Sequence, residues 1–113
     1  MNTVSFDFLL GPNSFVRVEF EKHAGRILKF VVQLECLVED EWQPVIRYDT
    51  AHGFAHYDIL HPTKEAQKIE LNIADYNSAF AFARKDISDK WKFYCERYAK
   101  WLKEKQNSPK TKS

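Results

Sequence analysis

Residues 26–49, "RILKFVVQLECLVEDEWQPVIRYD", decide the fold. Leu28, Phe30, Val32, Leu34, Cys36 and Val38 occupy every second position up to the acidic turn "EDE", and Trp42, Ile46 and Tyr48 resume the alternation after it. A period of two places these side chains on one face of extended backbone, so the stretch reads as a hairpin with one buried face.

The same period extends in both directions. Val4, Phe6 and Phe8 lie before the turn signal "GPN" and Val16, Val18 and Phe20 after it, while "KHAG" closes the next hairpin with Gly25 available for a positive φ. Downstream, Ala55, Tyr57 and Ile59 lead through "HPTKE" to Ile69, Leu71 and Ile73. Short loops favour sequential antiparallel pairing. One register set keeps all of these apolar residues on a single face: Phe8 with Val16, Phe20 with Leu28, Val38 with Trp42, Tyr48 with Ala55, and Ile59 with Ile69.

After "NIAD" the period changes to that of a helix. Phe80, Ala83 and Ile87, then Trp91, Tyr94, Cys95, Tyr98, Trp101 and Leu102, recur at three and four. Asp75, and further on Asp86 or Ser88, offer side-chain oxygens to cap helix starts, which predicts a helix over 76–85 and a longer one over 87–105, or one continuous helix. The expected fold is therefore α+β: an antiparallel meander of about six strands, one face covered by one or two C-terminal helices. The aromatic stripe at helical spacing reads as core, not as a base-stacking platform. Residues 1–105 read as a single domain and 106–113 as a disordered polar, basic tail.

Composition narrows the function classes. The 113 residues are 15% aromatic and 29% charged, as expected of one globular domain. The net charge of +1 conceals an asymmetry, since residues 1–99 carry 12 basic and 15 acidic groups, while 100–113 carry five basic and one acidic. That body is not the strongly basic surface of a general nucleic-acid binder. No apolar run is long enough to cross a membrane and the start lacks a signal-peptide pattern, so the expected location is the cytoplasm. Cys36 and Cys95 lie far apart and outside any C-x-x-C pair, which predicts two reduced, buried core residues. No phosphate-loop, dinucleotide, nucleophile-elbow or H-E-x-x-H motif occurs, and no cofactor is expected.

The polar face opposite the core collects the reactive side chains, in "RYDTAHGFAHYDILHP" at 47–62. In the expected register Gln33, Arg47, His56 and Asn72 form one cross-strand row, with Glu35, Asp58 and Glu70 beside it. Directly opposed Cβ atoms lie about 4.5–5.5 Å apart, so Arg47 and His56 would reach the same small ligand. Asp49 ends the hairpin, His52 lies in the turn "TAHG", and His61 ends the next strand; His23 reads as a surface turn residue. Metal-independent RNA cleavage needs a base, an acid and a cation for the phosphate, and histidine and arginine supply them. His56 and His52 are the expected acid and base, Asp49 or Asp58 orients an imidazole, and Arg47, His61 and Asn72 bind substrate. The competing reading is a solvated sheet face on which Arg47 is paired with carboxylates.

No metal site is expected. His52-x3-His56 has the spacing that gathers two imidazoles on a helix, but at about 3.3 Å per residue an extended strand would hold them roughly 13 Å apart.

Two segments carry a family resemblance. "WQPVIRYDTAHGFAHYDILHP" contains V-x-R-Y-D-x-A-H-G, and "AFARKDISDKWKFYCERYAKWL" contains A-x-x-D-I-x-x-x-W-x-x-Y. Together they resemble a widespread group of small uncharacterised bacterial and archaeal proteins, itself similar to the TumE-type toxins of toxin–antitoxin pairs. The resemblance covers about residues 42–102. It implies a small toxin acting on RNA or translation, a ribonuclease in its simplest form, encoded beside an antitoxin that covers it. By position the shared residues are Arg47, Tyr48, Asp49 and His52, with His56 and His61 nearby; "DTAHGFAH" stands where those toxins place a more histidine-rich cluster. The alternative is a non-catalytic module whose same face binds a protein partner, including a second copy of the chain.

Overall fold

The computed structural model describes residues 2–107. Strands β1 (Asn2–Gly11), β2 (Ser14–His23), β3 (Arg26–Val38), β4 (Glu41–Asp49), β5 (His56–Ile59) and β6 (Gln67–Glu70) pair antiparallel in chain order into one six-stranded sheet. One helix, α1 (Tyr76–Asn107), packs on a single face of it. The expected α+β meander with a C-terminal cover is the fold observed.

The helix begins where Asp75 caps it. Its carboxylate accepts from the Asn77 and Ser78 amides and from the Ser78 hydroxyl, and that hydroxyl, with the two amides, holds the carboxyl below its ordinary value. No glycine or proline interrupts residues 76–107, so the two expected helices are one, and Asp86 and Ser88 lie inside it rather than at a cap. The helix also takes in residues 106 and 107, the start of the expected tail; residues 108–113 fall outside the described residues.

Both ends of α1 are tied to the ends of β3. Asn77 accepts from the Ile27 amide at 2.9 Å and donates to the Gly25 carbonyl at 3.0 Å, and Gln106 donates to Glu39 at 2.6 Å. The lengths match: residues 77–106 rise about 44 Å at ~1.5 Å each, and residues 26–39 extend about 43 Å at ~3.3 Å each. The helix therefore runs the length of β3 in the same direction. Val16, Val18, Phe30, Val32, Leu34 and Ile46 are buried beneath it together with Ala79, Ala83 and Ile87. Burying a side chain such as Leu34 or Ile46 contributes about 1.5–3 kcal/mol.

Cys36, near the C-terminal end of β3, and Cys95 of α1 are joined across this interface as a disulfide, with Cα atoms 5.8 Å apart. This corrects the expectation of two reduced thiols: cysteines far apart in sequence are brought together because α1 retraces β3.

The register departs from expectation at three places. Phe8 faces Val16 as expected, but Phe20 faces Phe30, and a bulge leaves Leu28 as an extra residue, 44% exposed. The β3–β4 connection is a tighter turn than expected, with Glu39 and Asp40 at φ 51° and 68° and Val38 facing Glu41. Trp42 is thereby moved off the core face and packs on Phe15 at 5.0 Å, 45% exposed. A second bulge, at Val45 beside Pro44, restores the parity, so Val32 faces Tyr48. Finally, β5 is displaced by two residues on β4 and β6: Tyr48 faces Tyr57 rather than Ala55, and Tyr57 rather than Ile59 faces Ile69. A slip of two preserves which face each residue occupies but changes its neighbours.

Candidate functional site

The sheet face turned away from α1 carries two polar rows. One runs Arg17, Gln33, Arg47, Asp58, Lys68 and the other Glu19, Val31, Asp49, His56, Glu70. Arg47 and His56 share this face, as expected, but stand on a diagonal. The residue opposite His56 is Asp49, and Asn72 is in neither row.

Asp49 organises the centre of the face. Its Oδ1 accepts from the Ala51 amide at 3.0 Å, turning the chain out of β4, and lies 2.9 Å from His56 Nε2. A 3-10 turn at Ala51–Gly53 follows, closed by Gly53 N donating to Thr50 O at 3.2 Å, with His52 at φ 72° and Gly53 at φ 83°. Thr50 is anchored from below, its hydroxyl accepting from the Phe30 amide at 3.1 Å. The turn folds back over β5, so the rings of His52 and Phe54 lie 5.9 and 5.4 Å from that of His56. Residues 52–56 are thus not the extended strand expected, and the turn brings the two imidazole rings within 5.9 Å.

His56 is 1% exposed and its ring nitrogens are both engaged. Nδ1 faces the Phe54 carbonyl at 3.3 Å, while around Nε2 are Asp49 Oδ1, Asp58 Oδ1 at 3.8 Å and Lys68 Nζ at 3.1 Å. Lys68 also pairs with Asp58 at 3.1 Å. Asp49, His56 and Asp58 offer ligand atoms all within 4.8 Å of one another. This group arose from residues considered for acid–base work, with Lys68 the member that sequence reasoning missed. In the expected register Lys68 faced Leu60, so nothing drew it to the site.

Arg47 is an exposed cation of the face, beside Arg17 and Lys68 in the same row. Its Nε donates to Gln33 Oε1 at 2.8 Å, Gln33 in turn donates to Glu35, and among the described residues Arg47 makes no ion pair. It opens on a cleft of about 500 Å3 lined also by Lys29, Glu19, Asp49, Thr50 and Ala51. Gly53 and Phe54, on the other flank of the turn, line a second cleft of about 530 Å3 with Glu70 and Asn72. Asn72 therefore lies one cleft away from Arg47.

His61 belongs elsewhere. Its ring stacks on Trp101 at 4.5 Å and its Nδ1 accepts from the Thr63 amide. Desolvation, then the nearby Lys64, lowers its affinity for a proton. It is no part of the arrangement around His56.

A match to a family model, that of a domain of unknown function, DUF7718, spans residues 1–104. The chain belongs to the DUF7718 family. No curated protein and no solved structure is similar enough to match it. Among the described residues of this DUF7718 member no helix is long and apolar enough to cross a membrane.

The second motif segment of this DUF7718 member serves the interface, not the polar face. Tyr48 points to the helix side, and its hydroxyl and that of Tyr94 both donate to Asp86 at 2.5 Å, with Lys90 at 3.4 Å from the same carboxylate. Burial first, and then donation to Asp86, raise both phenols well above their ordinary value. Of the motif "RYD", Arg47 and Asp49 therefore face the candidate site while Tyr48 locks the sheet to the helix.

Proposed function

We propose that the protein is a toxin-like component acting on RNA, and that the outer sheet face around Arg47 and the 50–54 turn is its working surface. The observation that carries this reading is the contrast between Arg47 and its neighbours. Asp49, His56, Asp58 and Lys68 contact one another, whereas Arg47 presents its guanidinium to solvent, steadied by Gln33, at the mouth of a cleft. A planar fork so held suits a phosphate.

The roles of the imidazoles differ from those expected. His56 has no free nitrogen and 1% exposure, so it acts as a positioning residue through the turn it supports. His52, exposed on that turn, is the imidazole that can reach substrate and exchange a proton with it. The setting is the cytoplasm, and of the Cys36–Cys95 bridge Cys36 is 1% exposed while Cys95 is half-buried and is the sulfur that a reducing thiol would reach.

The test is growth and total-RNA integrity after inducing the wild type, Arg47→Ala and His52→Ala at equal soluble levels. Arrest with RNA fragmentation by the wild type, lost in both variants, is the expected result. Equal growth with intact RNA in all three would overturn the catalytic reading.

A second reading has its own observation. Trp42, 45% exposed, packs on half-buried Phe15 on the same face, an aromatic surface that suits a protein partner. In this reading the chain is a non-catalytic module, and the partner is an antitoxin-like protein or a second copy. Sedimentation of the wild type and Trp42→Ala separates self-association from a hetero-partner.

A further inference from the structure

We infer that Asp49, His56 and Asp58 form a binding site for one divalent transition-metal ion, with Lys68 as the counter-cation that such an ion displaces. Among the described residues His56 Nδ1 faces the Phe54 carbonyl at 3.3 Å, an acceptor for its proton whenever Nε2 binds an ion. Nε2 lies 2.9 Å from Asp49 Oδ1 and 3.8 Å from Asp58 Oδ1. In either tautomer two carboxylates and a ring nitrogen converge in a nearly dry place, where a cation must offset the two negative charges. Lys68 Nζ fills that role, at 3.1 Å from both Nε2 and Asp58 Oδ1.

The ammonium is an incomplete match. Two carboxylates with side chains 11% and 16% exposed face a single positive charge, and Lys68, 47% exposed, can swing into water while its partners cannot. A divalent ion would neutralise both carboxylates at once.

The geometry suits the exchange. With ligand bonds of about 2.1 Å, donor atoms around one ion lie roughly 3.0–4.2 Å apart. The observed 3.8 Å falls inside this range and 2.9 Å just below it, and all three atoms fall within 4.8 Å. Donation of Nδ1–H to a backbone carbonyl is also the arrangement that fixes a metal-binding imidazole. One imidazole and two carboxylates favour Zn2+, Co2+ or Mn2+ over Mg2+, and three protein ligands leave coordination positions for water or a phosphate oxygen.

The experiment uses disulfide-intact, tag-free, chelator-treated protein titrated calorimetrically with Zn2+, with Mg2+ as the comparison, and with Mn2+ followed by NMR line broadening. One Zn2+ per chain is expected, with broadening centred on residues 49, 56 and 58. Lys68→Met, which removes the competing cation, should tighten binding about tenfold, and Asp58→Asn should weaken it at least tenfold with the far-UV spectrum unchanged. Absence of saturable binding in both wild type and Lys68→Met would show that the cation held there is only a proton or the ammonium, and would overturn the site. Broadening centred on His23 or His61 would overturn it too, and this readout decides the matter if Asp58→Asn fails to fold. No nucleic acid enters the titration, so the result stands or falls separately from the RNA reading.

Discussion

His56 and Asp49 face each other from β5 and β4 at 2.9 Å on the side of the sheet that has no helix, yet His56 is 1% exposed. The cover is the 50–54 turn, and the same Asp49 oxygen that meets His56 also holds the Ala51 amide. Asp49→Ala should therefore cost about 3 kcal/mol, because it leaves a buried imidazole without its partner and releases the turn together. Urea unfolding measures the loss, and faster hydrogen exchange at Ala51 reports the loosened turn. A change below about 0.5 kcal/mol, the size expected of an ordinary surface site, would show that the contact is incidental.

Tyr48, Asp86 and Tyr94 predict the alkaline limit. Both phenols have their proton affinity raised in the fold, by burial and then by Asp86, above the ordinary value of 10.0 that they regain on unfolding. Their contribution is complete below about pH 10 and falls as pH rises beyond it, because the unfolded chain ionises first. Absorbance of tyrosinate should show Tyr48 and Tyr94 titrating only as the protein unfolds. Tyr48→Phe should lower stability at pH 7 by about 2 kcal/mol and flatten part of the alkaline decline.

The bridge from Cys36 to Cys95 closes a loop with a sequence separation of 59. Loop-closure entropy for that length gives about 4 kcal/mol of stabilisation. Paired denaturant melts of the oxidised protein and the Cys36→Ala/Cys95→Ala variant should differ by that order. Equal midpoints would mean that the packing of α1 along β3 alone sets the stability.

Asp40 at φ 68° occupies a backbone region that favours glycine. Asp40→Gly should stabilise the protein by about 0.5–1 kcal/mol in thermal or urea melts, since the strain removed exceeds the added chain entropy. A loss of stability would show that the aspartate side chain contributes to the turn.

The period-two and helical patterns were sufficient to read the meander and its cover, because one-sided burial imposes them on every strand. What they cannot register is a residue that belongs to neither face of a regular ladder. Leu28 and Val45 sit in bulges, and the turn at Glu39 and Asp40 is one residue tighter than the acidic run suggested. The four-residue strands β5 and β6 supply little pattern to fix a register, so the slip of two was invisible, and with it the pairings of His56 with Asp49 and of Asp58 with Lys68. Asp86 misled for a different reason. A carboxylate in a helix is ordinarily a cap or a solvated residue, and its acceptor role depends on two tyrosines, one of them distant in sequence.

The order of elements has a consequence for synthesis. Every strand precedes α1 in the chain, so the apolar face formed by Val16, Val18, Val32, Leu34 and Ile46 is made before anything exists to cover it. At about 5–20 residues per second the ribosome needs roughly 2–7 seconds to add the stretch from the end of β6 to the end of α1. During that interval the nascent sheet is a bare hydrophobic surface with open edges, the state most exposed to chaperones and to neighbouring chains. Arrival of the helix ends it, and the cysteine bridge then records that the cover has been placed.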